Sequence, residues 1–235
     1  MFGTKVIDCF TTNAMAYKYA SIAPAHKFMP DWWRELPKPK NEGFAPQSNM
    51  KLCRGFIDHY KNSFIIPMWS DLDIGVGPKG TGGWRYQYAD EGSSLVTHDP
   101  AQWGGLRDPR DIFHAKLTSP WHIRAKDDTR FIQMAPTYNL PASLRGMEFM
   151  PGNIEFKHQT ATHMILLFDR PDGDQEIVYK LPLGMPIAHF IPLTEKKVKI
   201  KTHLVDEKEM RKIEITRVGF IDSYGKVKKC PFNFG

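Results

Sequence analysis

Of the nine histidines in this 235-residue chain, His158, His163 and His189 are among those in its strand-rich second half. Neutral imidazoles brought together inside a β-barrel hold iron, zinc or manganese. Two carboxylates, Asp71 and Asp73, alternate onto one face of an apolar run, with Asp58-His59 expected one strand away. Such groups can bind a divalent cation or exchange protons with a substrate. Trp32-Trp33 lie side by side in a short helical stretch that cannot bury both rings, and large rings carry much of the energy of protein contacts. Each group also has a plainer use. Histidines hydrogen-bond, and carboxylates line the solvated face of an amphipathic strand. The plainer use is the favoured reading for the histidines and aspartates.

The spacing decides among these. Gly152-Asn153-Ile154-Glu155-Phe156-Lys157-His158 resembles the first cupin motif, with His163 after it, and Pro182-Leu183-Gly184 precedes His189 much as in the second. The HxH pair of cupins is missing, and so is the HxD or HxE pair of iron oxygenases. A metal-dependent enzyme using His158, His163 and His189 is therefore the alternative, and no cofactor is favoured. Gly184-Met185-Pro186-Ile187-Ala188 resembles the closing strand of dUTPases, and Gly219-Phe220-Ile221-Asp222-Ser223-Tyr224-Gly225 their uridine-binding hairpin. The two occur in reverse order here, which leaves a nucleotide-binding protein as a second alternative. No GxSxG, P-loop or HExxH pattern is present, and the glycines of GVGPKGTGG lack the Lys-Ser/Thr that phosphate binding needs.

The formal charge of +6 is distributed along most of the chain, so a solvated basic surface is favoured over a nucleic-acid site, which stays possible. Lys197, Lys199 and Lys201, next to Lys196, fall on the polar face of one strand, as in an edge strand protected against aggregation. Cys9, Cys53 and Cys230 are odd in number and have no CxxC spacing, so reduced thiols are expected. MFGTKVIDCF has no basic region followed by a long apolar run, and no stretch reaches membrane-span length. The expectation is an intracellular or virion protein without a secretory leader or membrane contact.

The elements that must position these residues are mainly strands. Hydrophobic residues at 41% and charged residues at 25% describe a globular chain, expected as one domain over 1–235. Pro30 to Leu36 reads as a short helix, with Asp31 at its positive end and Pro37 stopping it. Residues 37–49 read as an irregular linker, and 13–25 show no clean period. Phe64 to Val76 reads as one strand burying Ile66, Met68, Leu72 and Ile74 and turning Trp69, Asp71 and Asp73 outward, with Pro67 at an edge or bulge. The glycine-rich turn 75–83 and the alternating Trp84, Tyr86 and Tyr88 predict a hairpin, and 91–111 a polar loop.

Further strands are expected at 112–117, 121–125, 130–134, 147–150, 154–158, 163–168, 176–181, 186–193 and 198–204. The turn Arg170-Pro171-Asp172-Gly173 punctuates them. Asp206 and Glu209 form a capping box, with Val205 and Met210 as a staple, for a helix over 206–217. The fold class is a mainly β, jelly-roll-like sandwich or distorted barrel with a helical N-terminal region.

The stretches Pro30-Asp31-Trp32-Trp33-Arg34-Glu35-Leu36-Pro37, Asn49-Met50-Lys51-Leu52-Cys53, Ile65-Ile66-Pro67-Met68-Trp69-Ser70-Asp71, Ser119-Pro120-Trp121, Pro151-Gly152 and the run Leu183 to Leu193 resemble an uncharacterised protein family of tailed myovirus phages of marine cyanobacteria and similar hosts. The resemblance implies a phage or phage-like source and brings no catalytic residues with it. The functional expectation is a non-enzymatic phage protein that acts by surface contact, virion-associated or on a host or phage partner. Its contact residues are Trp32 and Trp33, and a protein partner or homo-oligomer is expected.

Overall fold

A computed structural model describes residues 3–38, 49–88, 94–97, 107–126, 128–157 and 160–214. The chain runs β1 (Thr4–Thr11), α1 (Ala14–Tyr19), β2 (Ala23–Pro24), α2 (Asp31–Glu35), α3 (Arg54–Lys61), β3 (Phe64–Pro67), β4 (Leu72–Val76), β5 (Trp84–Tyr88), β6 (Ser94–Thr97) and β7 (Ile112–Ala125). It continues through β8 (Arg130–Met134), β9 (Met147–Phe149), β10 (Gly152–Glu155), β11 (Ala161–Asp169), β12 (Ile177–Leu181), β13 (Pro186–Pro192) and β14 (Lys197–Leu204). A last helix, α4, occupies 207–214.

The fold is mainly β and of sandwich type. A six-stranded sheet runs β14-β1-β7-β11-β9, with β6 also on β7; a five-stranded sheet runs β10-β8-β13-β3-β2; and β12-β4-β5 form a third. Among the described residues the sheets stay open rather than closing into a barrel. Among the described residues one pair, β1 with β14, is parallel.

Inward side chains of all three sheets share one apolar core, including Ile7, Cys9, Trp121, Phe131, Met164, Leu166 and Phe190. Phe64 and Phe190 face each other in register and stack at 4.9 Å. A buried ring pair of this kind stabilises by about 1 kcal/mol beyond its area.

Several local expectations are revised by tertiary contacts. The run from Phe64 to Val76 is two strands in two sheets. Pro67 lies opposite Pro186 at a register shift, and neither proline has an N–H to carry the ladder on. The chain breaks there, with Met68 N–H bonded to Met185 O and Gly184 N–H to Met68 O. Trp69, expected outside, is 2% exposed and in the core, and Ile65 is buried on the opposite side.

The stretches 112–117 and 121–125 are one strand, β7, that runs through Pro120. Trp121 N–H finds the Ser119 hydroxyl instead of a ladder partner, and β11 shifts register opposite the break. Asp58-His59 sits on helix α3, not a strand, and part of the expected 91–111 loop is β6. After the Arg170-Pro171 turn, β12 pairs with β4.

Other expectations hold. The β4–β5 hairpin forms with Asp73 opposite Gln87. Asn13 caps α1 by accepting the Ala16 N–H at 2.8 Å, which resolves the ambiguous 13–25 stretch. Asp206 accepts the Glu209 N–H at 2.7 Å, and Val205 packs beside Met210, Ile213 and Phe10. Residues 215–217 of that expected helix, and 39–48 of the linker, lie outside the described residues.

Candidate functional site

The tryptophan pair sits on α2, the five-residue helix Asp31–Glu35. A helix this short gains little from its own hydrogen bonds, so side-chain anchoring must hold it. Trp33 supplies one anchor. Its ring stacks on Phe56 at 5.7 Å, and its Nε1–H donates to Met50 O at 3.0 Å. Phe56 and Tyr60 are one turn apart on α3, and both point into a second, smaller core with Ala25 and Ile65.

Trp32 is 42% exposed. Its edge meets Phe56 at 5.5 Å and its Nε1–H donates to Tyr138 O at 3.1 Å. Tyr138 is itself 40% exposed and packs on Phe56 at 4.8 Å. Between α2 and the 138–141 segment lies a cleft of about 500 Å³, lined by Phe28, Pro30, Trp32, Tyr138, Pro141 and Pro186 among others, with Lys27, Asp31 and Arg34 as its charged residues. Asn139 holds the far wall: its Oδ1 accepts from Tyr60 Oη at 2.7 Å and its Nδ2 donates to Phe28 O at 2.7 Å. Burial and the neighbouring Tyr138 push the Tyr60 hydroxyl up to about 12, so it stays protonated and can donate.

Beneath that wall are two imidazoles. His189 on β13 is fully buried and meets His59 of α3 edge-to-face at 4.4 Å; His59 also packs against Tyr138 at 5.6 Å. His189 Nε2 is 2.7 Å from Ser63 Oγ, and that hydroxyl donates its proton to His59 O at 2.8 Å. His189 must therefore carry its own proton on Nε2 and leave Nδ1 bare. His189 Nδ1 and His59 Nε2 are buried and have no hydrogen-bond partner among the described residues. Burial first, and His59 second, lower the His189 pKa to about 3; burial alone lowers that of His59. The Ser63–His189 distance suits a nucleophile and its base. Ser63 and His189 are both buried, though, and the serine proton is committed to a carbonyl. The pair is a packing element.

His189 belongs to the five-stranded sheet; His163, half-buried opposite Thr118, belongs to the six-stranded sheet; and His158 lies outside the described residues. Among the described residues no three His, Cys, Asp or Glu side chains form a metal-sized cluster.

Asp71 accepts the Leu183 N–H at 2.7 Å and so closes the turn before β13. Asp73 lies 3.9 Å from Lys180 on the neighbouring strand. Gly184 to Ala188, the dUTPase-like run, forms the end of that turn and the start of β13, while 219–225 lie outside the described residues. A third arrangement sequence spacing could not show is His122 with Glu214 at 3.4 Å and Thr160 at 3.4 Å. Thr160 is buried, so this hydroxyl is closed to a substrate.

Cys9 is buried and free, its thiol pushed up by burial and by Asp8; Cys53 is free, and Cys230 lies outside the described residues. Among the described residues no helix is long and apolar enough to cross a membrane.

The cleft was half legible in advance. Trp32-Trp33 marked it, and the one-turn spacing of Phe56 and Tyr60 could have marked α3. Tyr138 and Asn139, some eighty residues further along, carried no local signal. No family model, curated protein or solved structure matches the chain.

Proposed function

We propose that this protein is a non-enzymatic contact protein that takes a protein partner, or a second copy of itself, at the Trp32–Tyr138 cleft. The observation that carries the reading is the division of labour in the tryptophan pair. Trp33 is anchored and half-buried on Phe56, whereas Trp32 and Tyr138 leave 42% and 40% of their surfaces open on one cleft. Exposed aromatic rings on a preformed wall are the usual anchors of protein contacts, because burying them removes much apolar area at little entropic loss. The resemblance to a phage family fits a virion-associated or partner-binding role.

The test separates the two rings. Trp32→Ser leaves the fold intact and lowers the solution mass to that of the monomer, or abolishes capture of the partner; Trp33→Ser lowers the thermal midpoint. Stoichiometric iron, zinc or manganese in protein purified without added metal, with Trp32→Ser behaving as the parent, overturns the reading in favour of a metal-dependent enzyme.

A further inference from the structure

A second surface, on β14, β1 and β7, has a different chemistry. Val198 and Ile200 of β14 turn into the core, so Lys197, Lys199 and Lys201 turn out, and all three are exposed. The register places Lys201 beside Asp8 of β1, and Asp8 beside Arg124 of β7. Arg124 is exposed on the same face, and its guanidinium lies over the Phe10 ring at 5.0 Å. Lys126, also exposed, follows directly after β7.

Among the described residues none of these five cations has an ion-pair partner. The one carboxylate within the row, Asp8, accepts from His203 Nε2 at 2.9 Å. The His203 ring, at the end of the lysine row, stacks on Phe10 at 4.9 Å. Glu195 precedes the row, and the charges of α4 beside it are mixed.

Protection of an edge strand accounts for the lysines of β14. It does not account for Arg124, because β7 is paired on both sides, with β1 and with β11. We infer that this face is a binding surface for a single-stranded nucleic acid. Lysines two residues apart on a strand repeat every ~6.6 Å, close to the step between successive phosphates of an extended single strand. Arg124 and His203 add flat groups on which a base can stack. The surface is separate from the Trp32 cleft, and either can fail without the other.

The experiment is fluorescence anisotropy of a labelled oligothymidylate of about 20 nucleotides titrated with the full chain. The expected result is binding whose log affinity falls with log salt at a slope of about −0.7 per phosphate contact, about −3.5 for all five cations. Lys199→Gln/Lys201→Gln weakens it about tenfold or more and Arg124→Gln at least about threefold, while Lys27→Gln and Lys61→Gln leave it unchanged. If the lysine variant aggregates through its uncovered edge, Arg124→Gln decides alone. Equal affinity across all variants overturns the inference. So does binding to phosphatidylglycerol vesicles that Arg124→Gln abolishes while the oligonucleotide stays unbound.

Discussion

Acidification is the sharpest probe of the buried histidine pair. His189 is fully buried, and among the described residues its one acceptor nitrogen has no partner and no carboxylate acts on it. Its pKa falls from 6.5 to about 3 on folding, chiefly through burial and then through His59. Because the folded value is the lower one, the unfolded chain takes up the proton first as pH falls. The stabilisation of the neutral ring is complete above the unfolded value of 6.5 and is lost progressively down to about 3. Each unit corresponds to about 1.4 kcal/mol, so about 2 kcal/mol is gone near pH 5 and about 5 kcal/mol across the window.

The matched perturbation is His189→Phe. The Ser63 proton already serves His59 O, so the substitution removes only one accepted hydrogen bond. It costs about 1 kcal/mol at neutral pH and should make the variant less acid-sensitive than the parent. Urea unfolding followed by circular dichroism between about pH 7.5 and 4 measures both curves. Parallel loss of stability in parent and variant refutes the argument, because His189 would then take its proton in the folded protein as easily as in the unfolded chain.

Three further outcomes follow from named contacts. Ile66→Ala, at a fully buried site of β3, costs about 2–5 kcal/mol in chemical denaturation, whereas Asp73→Ala costs under about 1 kcal/mol; equal losses would mean that Asp73 is held by more than Lys180. Arg170 is buried with no carboxylate partner among the described residues and donates to the carbonyls of Ile112, Gly77 and Gly83, so Arg170→Met should cost about 2–4 kcal/mol and speed amide exchange at the Gly77–Gly83 turn; unchanged exchange there would refute it. Gly146 has φ +85° and a Cβ there would sit 2.9 Å from the Tyr179 hydroxyl, so Gly146→Ala should lower stability by about 1–3 kcal/mol, and a neutral effect on the thermal midpoint would show that the 146–147 backbone relaxes.

What this sequence determined by itself is what can be decided within a few residues. Alternation in 197–204 placed Val198 and Ile200 inward and the lysines outward, because successive side chains of a strand must point to opposite faces. Asp206 with Glu209 and Asp31 after Pro30 marked helix starts, because the first N–H groups of a helix need an acceptor or a negative charge nearby. Only the tertiary structure decided where the run from Phe64 to Val76 divides, since that depends on Pro186 arriving opposite Pro67. It also decided that His189 is a packed, neutral ring, because Ser63, 126 residues away in the chain, and His59, further still, reach it. The Trp32 cleft needed Tyr138, 106 residues away, and the basic face needed β7 laid beside β1. Contacts of such separation leave no periodicity in the sequence; they form where the sheets stack, and the apolar core, shared by strands from both ends of the chain, sets that stacking.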